Sequence, residues 1–267
     1  MADESIPTPE AAAYFIRESA DRFRPTKHVS GGWNPQEQHI APAIGLLAHG
    51  IELDFAARRD DDLQLTRLSC DILGTIPMEP VELTVSVLRP GRTIELVEAR
   101  LSHNGRDAVI ARAWLAARYE TADHAGSDFP PLEPKERFEP WAMDDTWPGG
   151  FVASVQVRPQ PETPGRARFW LNSDLELIAG ETVSNTARVL GLIDVANGVT
   201  ARAKPTEVLF PNLDLTAHLF RAPRSQWIGL DGHGSFGPDG AGLTHCILHD
   251  EDGPFGSFAQ VLTVRPR

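Results

Sequence analysis

"HDEDGPFGSFAQV", residues 249–261, and "HNGRDAVIARAWL", residues 103–115, share one order of parts: a polar turn, a glycine, then an apolar strand. Laying Gly105 on Gly253 sets Ala111 on Ala259 and Arg112 on Gln260. The chain therefore reads as two copies of one unit, and the repeat decides the fold. The later copy also poses a chemical question. Period-2 alternation puts Gln260 on one face with Phe258, Leu262 and Val264. A buried amide must satisfy its donors and acceptor, and an unmade bond costs roughly 1–3 kcal/mol.

The rest of each copy follows the same order. "PAIGLLAHGIELDFAA" places Ile44, Leu47, Ile51 and Phe55 at helical spacing, and the strand-like runs "QLTRLSCDIL", "VELTVSVLR", "TIELVEARLS" and "DAVIARAWLAAR" follow it. In the second half "ETVSNTARVLGLIDVANGV" reads as one long helix with Val189, Leu192, Ile193 and Ala196 on its apolar side. "LFPNLDLTAHLF", "WIGLDGHGS", "LTHCILHD" and "GSFAQVLTV" read as its four strands. Between the copies "FPPLEPKERFEP", residues 129–140, is too proline-rich for a central strand and suits an extended linker. The expected organisation is an N-terminal unit over 1–125, a linker over 126–145 and a C-terminal unit over 146–267. Burying each helix requires its meander to wrap it. The expected class is α+β, a double hot-dog of two antiparallel sheets, each around a long central helix.

Composition narrows the function. With 267 residues, 41% hydrophobic and 23% charged, the chain has an ordinary globular composition. A net charge of −12 without a block of Lys and Arg argues against nucleic acid, which needs clustered cations. No segment approaches 18 consecutive apolar residues, and "MADESIPTPEAAAYF" lacks a signal-peptide layout, so a cytoplasmic location without a membrane span is expected. Cys70 and Cys246 lack metal or redox spacing and read as buried small hydrophobes. No histidine pair has metal-ligand spacing. Neither a metal nor a cofactor is expected.

Three stretches carry a family resemblance: "GGWNPQEQH", then "RLSCDILGTIPMEPVELTVSVLRPGRTIELVEARLSHNGR", then "NLDLTAHLFRAPRSQWIGLDGHGS…LHDEDGPFGSFAQ". In this order they resemble the TesB-like (thioesterase II) acyl-CoA thioesterases of the thioesterase-like superfamily, over nearly the whole chain. The resemblance implies hydrolysis of an acyl-CoA, in lipid metabolism, by a water held by an aspartate, a threonine and a glutamine. These map onto Asp214, which precedes Arg221 by seven residues, onto Ser235 in place of the threonine, and onto Gln260. Asp214 would be the general base and Ser235 and Gln260 would orient the water. Backbone N–H groups at a helix N-terminus would hold the oxyanion.

Other assignments stay open. Glu52 and Asp194 fall at matching helix positions, and Asp194 is the alternative base, as single hot-dog thioesterases carry an acid on this helix. The family's His-Gly-Gly-Pro stretch becomes His39, Ile40, Ala41 and Pro42, which leaves His39 as a substrate-binding candidate. Arg221 and Arg224, or Arg89 and Arg92, could meet coenzyme A phosphates. Arg112 at the glutamine position marks the first copy as structural. The rival function is a hot-dog protein that binds an acyl thioester without turning it over. A hydratase is a third reading, but Gly32 stands where a hydratase acid would be. Pairing of double hot-dog chains into a homo-oligomer is a further expectation.

Overall fold

The computed structural model describes residues 12–267. Strands β1 (Ala13–Arg17) and β2 (Arg22–Pro25) precede helix α1 (Ile40–Arg58), and β3 (Leu63–Ile72), β4 (Val81–Arg89), β5 (Ile94–His103) and β6 (Arg106–Ala117) complete the first copy. After a stretch of 3-10 turns and the short α2 (Gly150–Ser154), the second copy opens with β7 (Gln156–Thr163), β8 (Arg166–Asn172) and β9 (Glu176–Ile178). Its helical region is α3 (Asn185–Leu190), a 3-10 turn over Ile193–Val195, and α4 (Ala196–Val199). Strands β10 (Val208–Leu209), β11 (Asp214–Leu219), β12 (Ile228–Phe236), β13 (Ala241–Asp250), β14 (Gly253–Thr263) and β15 (Arg265–Pro266) finish the chain.

The expectation of two separate sheets is corrected. One sheet of 13 strands runs β7-β8-β12-β13-β14-β11-β3-β6-β5-β4-β2-β1-β9. Each copy contributes the same internal order, and the copies join where β11 meets β3 antiparallel, from Asp214 opposite Asp71 to His218 opposite Arg67. The physical reason is the open edge that each meander would otherwise leave, with unpaired backbone groups along β3 and β11. β9 then pairs in parallel with β1, where Arg17 holds Glu181 through bonds of 2.6 and 2.8 Å.

Helix α1 is the continuous core helix. Ile44, Leu46, Leu47 and Ile51 are fully buried, each contributing about 2 kcal/mol. By length and composition α1 could also cross a membrane, but its apolar residues are spent on the sheet. The second helix is not the single long one read from the sequence. It breaks after Leu190, and the turn over Ile193–Val195 tightens to 3-10 geometry. The break lies where the two helical regions cross. A β-carbon on Gly45 would lie 2.8 Å from Gly191 Cα and 3.0 Å from Ala187 O.

The two meanders share one irregularity. In β5–β6, Leu101 faces Val109 but Ser102 faces Asp107, which leaves Ala108 as a bulge; in β13–β14, Leu248 faces Gly256 but His249 faces Pro254, with Phe255 as the extra residue. The hairpins close at His103 opposite Arg106 and at Asp250 opposite Gly253. The copies are thus related by an offset of 147 residues. Matching the glycines, Gly105 with Gly253, is one residue out of register.

The helix crossing gives a stability test. Gly45→Ala should lower the unfolding free energy by about 1–2 kcal/mol, because overpacking outweighs the better helix propensity of alanine. Gly126→Ala, where an added β-carbon meets nothing within 4 Å, should stay within about 0.5 kcal/mol of the parent in the same denaturant titration.

Candidate active site

At the end of the β3–β11 seam where β3 finishes and β11 begins lies a cavity of about 660 Å³. The first copy supplies its walls from Gly31 to Asn34, from Glu37 to Ile40 and from Ile72 to Thr75. The second copy supplies Asp194, Asn197, Leu209, Pro211, Asn212, Leu213, Thr263, Arg265 and Arg267. Neither copy alone encloses it.

Asp194 is 3% exposed and carries the only buried carboxylate on this wall among the described residues. Its Oδ1 accepts two amide hydrogens, from Gln260 Nε2 at 2.6 Å and from Asn212 Nδ2 at 2.7 Å. Its Oδ2 lies 3.7 Å from His39 Nδ1. That approach is not an ion pair. His39 Nδ1 already accepts the Ala41 N–H at 3.1 Å as the N-cap of α1, and burial pushes the imidazole down to about 3, so the ring is neutral with its proton on Nε2. Burial raises Asp194 to about 6, against the opposing pull of the two amides. The break in the second helix delivers this side chain, since the 3-10 turn carries Asp194 toward β11 and β14.

The question raised by Gln260 is therefore answered by Asp194. The amide orients with Nε2 toward the carboxylate, while Gln260 Oε1 and the Oγ1 of Thr244, opposite it across β13–β14, stay buried without a partner among the described residues.

Asn212 escaped the sequence reading because of a bulge. It bridges to Leu262, yet Thr216 faces Ala259, so four steps along one strand match three along the other. The extra residue turns Asn212 onto the inner face, away from the side that strict alternation assigns it. Asp214 serves that bulge. Its Oδ1 accepts the Val261 N–H at 2.6 Å, a backbone donor on the exposed side of β14. The expected grouping of Asp214 with Gln260 around one water is thus corrected: the two side chains leave opposite faces of the sheet.

Ser235 is also apart. On β12 it is exposed, alternating with buried Gly232 and Gly234, so its hydroxyl faces away from Gln260. Arg221 is consumed by structure, with a bidentate pair to Asp250 at 2.6 Å and bonds to the Gly253 and Pro254 carbonyls. Arg224 is exposed and 3.7 Å from Asp252. Both stand beyond the far end of β11, about 17 Å of strand from the cavity end, and neither lines the cavity. His39 does line it.

The first copy holds no equivalent polar cluster. At the observed offset Gln260 matches Ala113 and Asn212 matches Leu65, while Arg112 matches Ala259 and turns outward to Glu98 at 2.9 Å. Glu52, the acid of the first copy's helix, is not held by amides: its carboxylate accepts from Ser184 Oγ at 2.8 Å.

Comparison with known proteins fits this architecture. The structure is similar to a hot-dog-fold protein from Alicyclobacillus acidocaldarius, with a TM-score of 0.73 and 13% identity over 96% of this chain and 97% of that one. It is similar to the acyl-CoA thioesterase II TesB2 from Mycobacterium marinum, with a TM-score of 0.66 and 16% identity over 95% and 96%. A third likeness is to a TesB protein from Mycobacterium avium subspecies paratuberculosis, with a TM-score of 0.66 and 15% identity over 94% and 96%. At these identities the likeness shows the fold. Comparison with curated protein sequences gives no match. Family models do match: the acyl-CoA thioesterase N-terminal domain over residues 29–116 and the C-terminal domain over residues 120–264. The chain belongs to the acyl-CoA thioesterase family and is a thioester hydrolase.

Proposed function

We propose that the chain hydrolyses an acyl-CoA to the free acid and CoA in the seam cavity, with Asp194 as general base. The observation that carries this reading is the buried carboxylate pinned through one oxygen by Gln260 and Asn212, with its other oxygen unclaimed by any donor among the described residues. A water on Oδ2 loses a proton to Asp194 as its oxygen attacks the thioester carbonyl. Collapse of the tetrahedral intermediate breaks the C–S bond, and the proton passes to the departing thiolate. A base near 6 is ionised at neutral pH and more basic than an ordinary carboxylate.

The α1 N-terminus suits the oxyanion. Of its first three residues, Ala41 gives its N–H to His39, and Pro42 has none. Ile40 keeps an N–H without a partner among the described residues, at the positive end of a 19-residue helix and on the cavity wall. Asp214 and Ser235, expected from the sequence to share the water, have structural places in this mechanism.

The test is release of free thiol from short, long and aryl acyl-CoAs. Asp194→Asn should lower kcat by at least about 100-fold, while Asp214→Asn should retain turnover on a less stable fold. Loss with Asp214→Asn and survival with Asp194→Asn would overturn the assignment. Binding of acyl-CoAs without turnover of any would favour the non-catalytic reading.

Two pH dependences follow from the raised Asp194. Activity requires the carboxylate, so kcat/KM should rise with pH through a limb near 6. Stability runs the other way. A carboxyl whose folded value exceeds its unfolded value contributes fully below about pH 4, and that contribution is lost as pH rises toward 6. Above pH 6 the parent should carry a penalty of about 3 kcal/mol that Asp194→Asn lacks. Unfolding titrations at pH 4 and pH 8 should show the variant gaining relative stability at pH 8.

A further inference from the structure

The mouth of the cavity carries a charge pattern that the chemistry at Asp194 does not use. In the β10–β15 ribbon Leu209 faces Arg265 and Val208 faces Pro266. Arg265 and Arg267 stand two positions apart, project to one side, and both line the cavity. The segment that presents them is tied down by backbone bonds from Thr263 N to Pro211 O at 3.0 Å, Val264 N to Gly240 O at 2.8 Å and Arg267 N to Glu207 O at 3.1 Å. Neither guanidinium has a carboxylate partner among the described residues.

The internal repeat shows what changed. At the offset of 147, Arg265 matches Arg118 and Leu209 matches Asp62. In the first copy Arg118 Nε donates to Asp62 Oδ1 at 2.9 Å, so that arginine is neutralised on its own ribbon. The second copy keeps the arginine and replaces its acid with leucine. Arg267 likewise stands where the first copy has Glu120. Both changes add positive character at one place on a chain of net charge −12, and that place is the entrance to the cavity.

We propose that Arg265 and Arg267 form the binding site for the phosphate groups of the thioester's carrier. This rests on the reading of the cavity as a thioesterase site. With the thioester carbonyl at Asp194, the pantetheine arm runs outward and its phosphate end reaches the mouth. Guanidinium forks suit that anion, as they donate paired hydrogen bonds to phosphate oxygens. A phosphate on this arm is common to free CoA, where a second phosphate completes a diphosphate and the ribose carries a 3′-phosphate, and to phosphopantetheine carried on a protein.

The experiment compares one acyl group carried on CoA, on 4′-phosphopantetheine and on pantetheine, for the parent, the double variant Arg265→Ala/Arg267→Ala, and Arg118→Ala. The preference in kcat/KM for the CoA ester over the pantetheine ester should fall about 100-fold in the double variant, roughly tenfold per arginine, through KM. Arg118→Ala should keep the parental preference. In the parent that preference should weaken as salt is raised. Loss confined to the CoA ester assigns the adenosine phosphates as the ligand. Loss shared by the 4′-phosphopantetheine ester assigns the single phosphate that a carrier protein would present. An unchanged preference, or equal loss on all three esters, overturns the proposal. Calorimetry with adenosine 3′,5′-bisphosphate and with 4′-phosphopantetheine separates this inference from the proposed activity. Arginine-dependent binding of either by a protein that hydrolyses no thioester would sink the activity and keep the site. Arginine-independent binding, or none, would sink the site.

Discussion

The pairing of β3 with β11 is the constraint on which the molecule is organised. Each meander ends in a strand whose outer edge is unpaired, and the two edges satisfy each other along five residue pairs. That pairing makes one sheet of two, brings the helical regions into contact at Gly45 and Gly191, and sets the loop before α1 beside the broken helix of the other copy. The cavity is a by-product of that geometry. Its walls come from both copies because it opens at an end of the seam.

Within the seam, burial and hydrogen bonding pull Asp194 in opposite directions. Desolvation disfavours the carboxylate, while the two amide donors favour it, and desolvation is the larger. The result is a group ionised at neutral pH but held above its ordinary range. An apolar residue in place of Asn212 or Gln260 would strip a donor from the anion and push it further up, so the amides tune the carboxylate as well as aim it. The neutral His39 adds no charge here. Its lone pair is committed to the first turn of α1.

Much of this was legible in the sequence, and the failures share a cause. The repeat, the helix and four-strand order of each copy, and the inward amide at Gln260 all follow from periodicity. Register does not. Gly105 and Gly253 look like one turn glycine, but one sits inside a turn and the other opens a strand, and the one-residue slip set an outward arginine against an inward glutamine. The bulge before Thr216 had the same effect on Asn212, which alternation assigns to the side of Asp214. A slip of one position exchanges inside for outside, so alternation places Asn212 on the outer face although its amide reaches Asp194; Asp214 comes instead from the family resemblance, through the arginine seven residues on. The helix break was hidden too, since Leu192 and Ile193 continue an apolar stripe that the backbone does not follow.

The bond from Val261 to Asp214 has a consequence for how the chain can vary. In a dimer of identical units every residue at the seam occurs twice, and each buried acid must be accommodated twice. Fusion into one chain lifts that obligation. The first copy can fill its end of the seam with Leu65 and Ala113 as ordinary core, while the second keeps a costly carboxylate and, at a bulge that both copies carry, an acid that ties the bulge down. The two halves of this molecule divide labour between holding the fold and carrying the chemistry, and each is free to drift under its own constraint.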